Sequence, residues 1–323
     1  MQKLYTVPQA AELIAERRRI LFVAGTHSVL ERLPAGAWIG GTIPYFMDPI
    51  GGLCDQERVF VHMLPEGIPL SGLRIESIDP GAVREIPSKI PRGGFAMLIL
   101  PAFSEVHTRF AMEAPNWPAD TRRPLVGWVS GCHLEELGTV LPEVINGFNQ
   151  SFMNDRGVIA YVKLPEGLKA EIGIVNLFRP DAGARIEFMS PGFSVRRARV
   201  NEVEVDFAKW CRDRRIDLKL PLVCDCHGTM VNVSFRNLHK DRVDFYAPVF
   251  PGMVYKQAAS IGDYPTEFSK QAPKGPFDFS CNCILNYLYA ELEGRQISVP
   301  GPATFGEISE RLLNQTLCYL RIQ

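Results

Sequence analysis

The sequence predicts an α+β fold with mixed, largely antiparallel sheets, flanking helices and two lobes. Two observations carry this. Strand-type apolar runs are many and long helical patterns few. The 25 Pro and 27 Gly in 323 residues imply many turns and argue against a helical bundle.

The elements follow in order. Thr6 can cap a helix whose second residue is Pro8, with an apolar stripe of Val7, Ala10, Ala11 and Ile14. Arg17, Arg18 and Arg19 suit its C-terminal dipole, so the helix is expected to reach Arg19. A buried-type strand is predicted over 20–24, a short helix over 27–33, and strands over 38–43, 59–64 and 73–78. The run 95–100 is a strong strand, followed by a helix from Ser104 to Met112 and a strand over 125–129. A loop-rich passage with turn signals at Asn146-Gly147 and 154–157 comes next.

Strands are then predicted over 157–164, 170–178, 185–189 and 194–200. Asn201 reads as a helix cap, with Glu202, Glu204 and Asp206 in the first turns and Arg212, Arg214 and Arg215 in the last. The runs 219–223, 229–235 and 243–248 read as an antiparallel meander. A final helix is expected after a Pro- and Gly-rich loop. No internal repeat or low-complexity segment is visible. The boundary is placed near residue 198, giving domains 1–198 and 199–323.

The formal net charge of −1 gives no electrostatic footprint for nucleic acid or an acidic membrane. No apolar run reaches the length of a membrane span, and the N-terminus lacks a signal-peptide pattern. A cytoplasmic protein is expected, with its eight cysteines reduced.

The C-terminal end is the most specific part of the chain. Ser280-Cys281-Asn282-Cys283 opens an apolar stretch. Phe305-Gly306-Glu307 and Asn314-Gln315-Thr316 follow in order. Residues 278–320 resemble the end of the FIST family, sensory input domains of bacterial signal transduction. The resemblance implies a non-catalytic protein that binds a small, amino-acid-like molecule and acts through a separate signalling partner. It implies a ligand site at Cys281, Phe305, Gly306, Glu307, Asn314, Gln315 and Thr316. Asp278 or Ser280 would cap a helix with Cys281 in its first turn, either as a small core residue or as an activated thiol. The amides of Asn314 and Gln315 could bind a ligand or satisfy backbone groups.

Two further readings stay open. Cys224, Cys226 and His227 are soft ligands for zinc or iron, with Cys281 or Cys283 available as a fourth, although Cys-x-Cys-His is not a recognised zinc spacing. The same residues could serve a cysteine- or metal-dependent enzyme. A haem-binding gas sensor is the third reading, although none of His27, His62, His107, His133, His227 and His239 lies in a haem-ligand motif. Ser130-Gly131-Cys132-His133 follows a strand and places a thiol beside an imidazole, which alone does not make a dyad. No nucleophile elbow or phosphate-binding loop is present.

Overall fold

The structure, a computed structural model, describes residues 3–226 and 228–323. The fold is α+β, with several mostly antiparallel open sheets and few helices. Two compact units are present. The first comprises residues 1–175, 272–312 and 317–323, and the second 176–271 and 313–316. The boundary expected after residue 198 falls inside the strand Arg197–Val200 of the second unit.

The first unit holds three six-stranded sheets, and these are three copies of one topology. In the first repeat, Leu4–Thr6 leads through the helix Val7–Ala15 to Leu21–Gly25, then through the helix His27–Leu30 to Trp38–Thr42. A hairpin of Tyr45–Asp48 and Gly51–Cys54 follows, and Arg58–Met63 closes the repeat. The second repeat runs Leu73–Ile78, a helical segment over 80–89, Gly94–Pro101, the helix Glu105–Glu113 and Leu125–Ser130. Its hairpin is Val144–Asn146 with Ser151–Met153, and Gly157–Lys163 closes it. The third repeat runs Ala170–Val175, Phe279–Cys283, the helix Ile284–Tyr289 and Gly301–Thr304, then the hairpin strands Glu307–Ser309 and Leu312–Leu313, then Leu317–Ile322. Most of the second unit is inserted where the other two repeats have their first helix.

Within each sheet the repeat's own strands lie in the order first, last, second, third. The second and third are parallel and their neighbours antiparallel. The two remaining strands of each sheet are a hairpin from another repeat. The first sheet receives the second repeat's hairpin, the second sheet the third's, and the third sheet the first's. This cyclic exchange gives the unit pseudo-threefold symmetry. It corrects the reading that the chain has no internal repeat. The equivalent third strands read Trp-Ile-Gly-Gly-Thr, Leu-Val-Gly-Trp-Val-Ser and Gly-Pro-Ala-Thr, so only the closing hydroxyl recurs.

The sheets meet through buried aromatic rings. Trp128 stacks on Phe279 at 5.4 Å, Phe46 on Phe60 at 5.6 Å, and Phe279 meets Phe22 edge-on at 6.3 Å. Rings of this size bury the apolar area that dominates core energetics.

Several expected elements shift. Thr6 does cap the first helix, in a capping box with Gln9. The helix ends at Ala15, and Arg17 has φ +52°, so it does not reach Arg19. Phe279–Cys283 is a strand, so Asp278 and Ser280 cap nothing, and Cys281 lies at mid-strand rather than in a helical first turn. The final helix begins at Ile284. The expected meander divides: Leu222–Cys226 pairs with Thr229–Val233, but Val243–Val249 pairs with Phe235–Leu238 in a different sheet. Among the described residues no helix is long and apolar enough to cross a membrane.

Asn201 is not a helix cap. It and Glu202 form a tight hairpin turn between Arg197–Val200 and Val203–Asp206, both with positive φ (45° and 71°). The helix starts later, at Phe207–Asp213, where Asp206 accepts from the Lys209 amide. Asn tolerates the left-handed region and Glu does not. Glu202→Gly is therefore expected to stabilise the protein by about 1 kcal/mol. The urea midpoint should rise at unchanged slope, and an unchanged or lower midpoint would refute the turn assignment.

Candidate functional site

The residues expected to bind a ligand are almost all closed from solvent. Cys281 and Glu307 are fully buried in the first unit. Glu307 pairs with Trp128 across the sheet, and Cys281 lies opposite Cys318. Burial, then the neighbouring Cys318 and Glu307, holds the Cys281 thiol well above its ordinary pKa. An activated helix-start thiol is thus replaced by a protonated core thiol. Phe305 is half-buried, with its ring against Gly131.

Asn314, Gln315 and Thr316 belong to the second unit and are buried there. Asn314 Oδ1 accepts from the Ser234 amide at 3.0 Å, and Gln315 Nε2 donates to the Lys219 carbonyl at 3.0 Å. Ser234 Oγ lies 2.7 Å from Asn314 Oδ1 and 2.5 Å from Gln315 Oε1. Asn232 Nδ2 donates to the carbonyls of Asn314 and Gln315 and to Asn176 Oδ1. Asn314 Oδ1 and the Gln315 side chain are thus bonded within the unit, while Asn314 Nδ2 is buried with no hydrogen-bond partner among the described residues.

Cys224 and Cys226 lie on one face of the strand Leu222–Cys226, both buried. His227 lies outside the described residues. Cys281 and Cys283 belong to the first unit. Among the described residues no three His, Cys, Asp or Glu side chains are placed to hold a metal ion. Of the histidines, His27 meets Glu143 at 2.6 Å and His239 meets Asp244 at 2.7 Å.

His62 and His107 are buried acceptors, His62 Nε2 for the Ser280 amide and His107 Nδ1 for the Phe103 amide. Burial holds His62 well below its usual range and lowers His107 to about 4. The unfolded chain then takes up protons below its ordinary histidine pKa of 6.5 that the folded protein does not. The contribution of these histidines to stability is complete above that pH and is lost as pH falls toward 4, by roughly 1.4 kcal/mol per pH unit for each histidine. Urea titrations at several pH values check this. His107→Gln should flatten the slope, and an unchanged slope would contradict the assignment.

The repeats converge elsewhere. By register with the preceding parallel strand, Thr42, Ser130 and Thr304 are equivalent, each closing its repeat's third strand. The three ends are joined. The Gly131 amide donates to the Thr42 carbonyl at 2.7 Å, and Thr42 Oγ1 donates back to the Gly131 carbonyl at 2.7 Å. The Val129 amide donates to the Gly306 carbonyl at 2.8 Å. A Cβ on Gly131 would lie 2.3 Å from the Phe305 ring, so only glycine lets the second and third repeats close here.

Each repeat contributes an aromatic ring, two of them just past the end of a third strand and the third in the helix that follows the third repeat's second strand. Tyr45 comes from the first, His133 from the second and Tyr287 from the third. Tyr45 stacks on His133 at 5.7 Å and meets Tyr287 at 5.5 Å. Cys54 lies opposite Tyr45 across the first hairpin, and the Leu134 amide donates to Tyr45 Oη at 3.1 Å. Tyr287 Oη is buried and has no hydrogen-bond partner within the described residues. Cys54 and His133 are half-exposed, which opens the cluster to solvent. The carboxyl ends of parallel strands are the usual place for ligands in open sheets.

The cluster is electrically one-sided. Burial raises the Tyr45, Tyr287, Cys54 and Cys132 pKa values, and a carboxylate adds to each: Glu135 at Tyr45, Glu293 at Tyr287 and Cys54, Glu136 at Cys132. Its thiols are held toward the protonated form.

Two connections of equivalent position are short, 43–44 and 305–306, whereas the third runs over 131–143 and carries Cys132 and His133. Sequence reading singled out Cys132 and His133 but passed over Tyr45, Cys54 and Tyr287. They share no sequence signal: Tyr45 opens the first hairpin, Cys54 ends it, and Tyr287 lies in the helix between the third repeat's second and third strands.

Comparison with known proteins places the chain in a family. The family model that matches the chain is DUF6976, described as a family of unknown function, and it covers residues 5–323. The chain belongs to that family. This corrects the FIST resemblance, because the match takes in residues 278–320 that carried it. No curated protein matches the chain.

Proposed function

We propose that this member of the DUF6976 family binds a small organic amine, as its ammonium ion, at Tyr45, His133 and Tyr287, and does no covalent chemistry there. The observation that carries the reading is the meeting of three rings, one from each repeat, beside Glu135, Glu136 and Glu293. A cation near aromatic faces gains about 0.5–2 kcal/mol per contact, more as water is excluded. Tyr287 Oη offers an acceptor with no competing protein donor. The carboxylates supply the long-range attraction. The signalling role and its separate partner lose their ground with the FIST resemblance.

A thiol-dependent enzyme is the second reading, and Cys54, Cys132, Cys211 and Cys281 do not favour it. Nucleophilic cysteines need a depressed pKa. Burial raises those of Cys54, Cys132 and Cys281, and pushes Cys211 up to about 12.

Calorimetric titration with benzylamine, against its neutral isostere benzyl alcohol, tests the proposal. Saturable binding of the amine at neutral pH, at least tenfold tighter than the alcohol and weakened by salt, is expected. Equal affinities, or no saturable heat from either compound, would sink it.

A further inference from the structure

We infer that the second unit carries an independent binding site for a zwitterionic small molecule with an apolar side group, the class of the apolar amino acids, in the groove between its small N-terminal sheet and the helix Phe207–Asp213. The groove has a volume of about 620 Å³. That lies within the range of about 300–1,000 Å³ typical of small-ligand sites.

Its apolar wall follows from strand register. Ile186, Val200 and Val203 lie in one cross-strand row. Ala198 and Val205, two residues along their strands, share that face. Ala198 and Val200 are buried, but Val203 is 64% exposed, so the row runs out of the core into solvent. Trp210 lines the groove and stacks on Phe207 at 5.7 Å. It is half-buried, whereas Trp38, Trp117 and Trp128 are buried.

Two opposite charges line the same groove. Asp181 Oδ1 accepts from the Gly183 amide at 2.8 Å, and Oδ2 has no hydrogen-bond partner among the described residues. Arg214 lines the groove and forms no ion pair among the described residues, although its five N–H donors suit a carboxylate. An ammonium on Asp181, a carboxylate on Arg214 and an apolar side group against Val203, Val205 and Trp210 would use all three features. A solely apolar ligand would leave both charges unanswered.

The test is tryptophan fluorescence of the full chain titrated with L-leucine, leucine ethyl ester, 4-methylvalerate and N-acetyl-leucinamide. The first has both charges, the next two one each, and the last none. Leucine is expected to give a saturable change, with the single-charge analogues at least tenfold weaker and the neutral one weaker still. Arg214→Gln and Asp181→Asn, both at surface positions, should each lower leucine affinity at least tenfold without changing thermal stability. Tyr287→Phe should leave leucine binding unchanged, which separates this site from the amine site. No saturable change with leucine would overturn the inference, as would affinity indifferent to both variants. Equal or tighter binding of N-acetyl-leucinamide would replace the zwitterion with a peptide segment.

Discussion

Tyr287→Phe is expected to lower the affinity for benzylamine about 10- to 100-fold while leaving the unfolding free energy within about 0.5 kcal/mol of the parent. Few buried tyrosines allow such a clean separation. Tyr287 Oη makes no hydrogen bond within the described residues, so its removal breaks nothing in the free protein and leaves the ring in place. In the complex, the ammonium loses a charge-assisted bond of roughly 1.5–3 kcal/mol. Calorimetry measures the affinity and urea unfolding the stability. Unchanged affinity would show that the amine does not reach Tyr287. A loss of stability as large as the loss of affinity would show that Oη has a structural partner instead.

Gly127→Ala is expected to have the largest effect on folding. Gly127 sits in Leu125–Ser130, paired with Leu98 of the parallel neighbour Gly94–Pro101. A Cβ there would lie 1.7 Å from the Leu98 carbonyl oxygen, a backbone atom that cannot turn aside. Relief requires the two central strands of the second sheet to separate, breaking ladder bonds and the stacking of Trp128 on Phe279. A cost above about 4 kcal/mol follows, enough to abolish folding of a marginally stable domain. Far-ultraviolet circular dichroism and soluble yield would report it. A folded variant within about 1 kcal/mol of the parent would contradict the close strand approach.

Local structure was legible where local chemistry decides it. Thr6 with Pro8 announced the first helix, and the apolar runs at 95–100 and 125–129 announced the central strands of the second sheet. Cys281 was misread because Ser280-Cys281-Asn282-Cys283 looks like a helix start, whereas its strand partners are distant in sequence, with Ala303 opposite Asn282 and Cys318 opposite Cys281. Asn201 was misread because a cap and a left-handed turn favour the same residue.

The repeat was illegible for a different reason. Its three copies share strand order and hydrogen-bond register but not side chains, and hairpin exchange puts one repeat's strands in another repeat's sheet. The third copy is split by an insertion between Val175 and Phe279. Tyr45, His133 and Tyr287 therefore carry no common spacing. Only the closing hydroxyls of Thr42, Ser130 and Thr304 mark the equivalence, and a lone hydroxyl at a strand end is too common to be read as a signal.

The most direct test is a crystal structure of the protein soaked with benzylamine. The account predicts the ammonium nitrogen within about 3 Å of Tyr287 Oη, the hydrogen-bonding distance, beside the rings of Tyr45 and His133. An amine bound elsewhere, or an unoccupied cluster at a concentration that saturates the calorimetric signal, would contradict it.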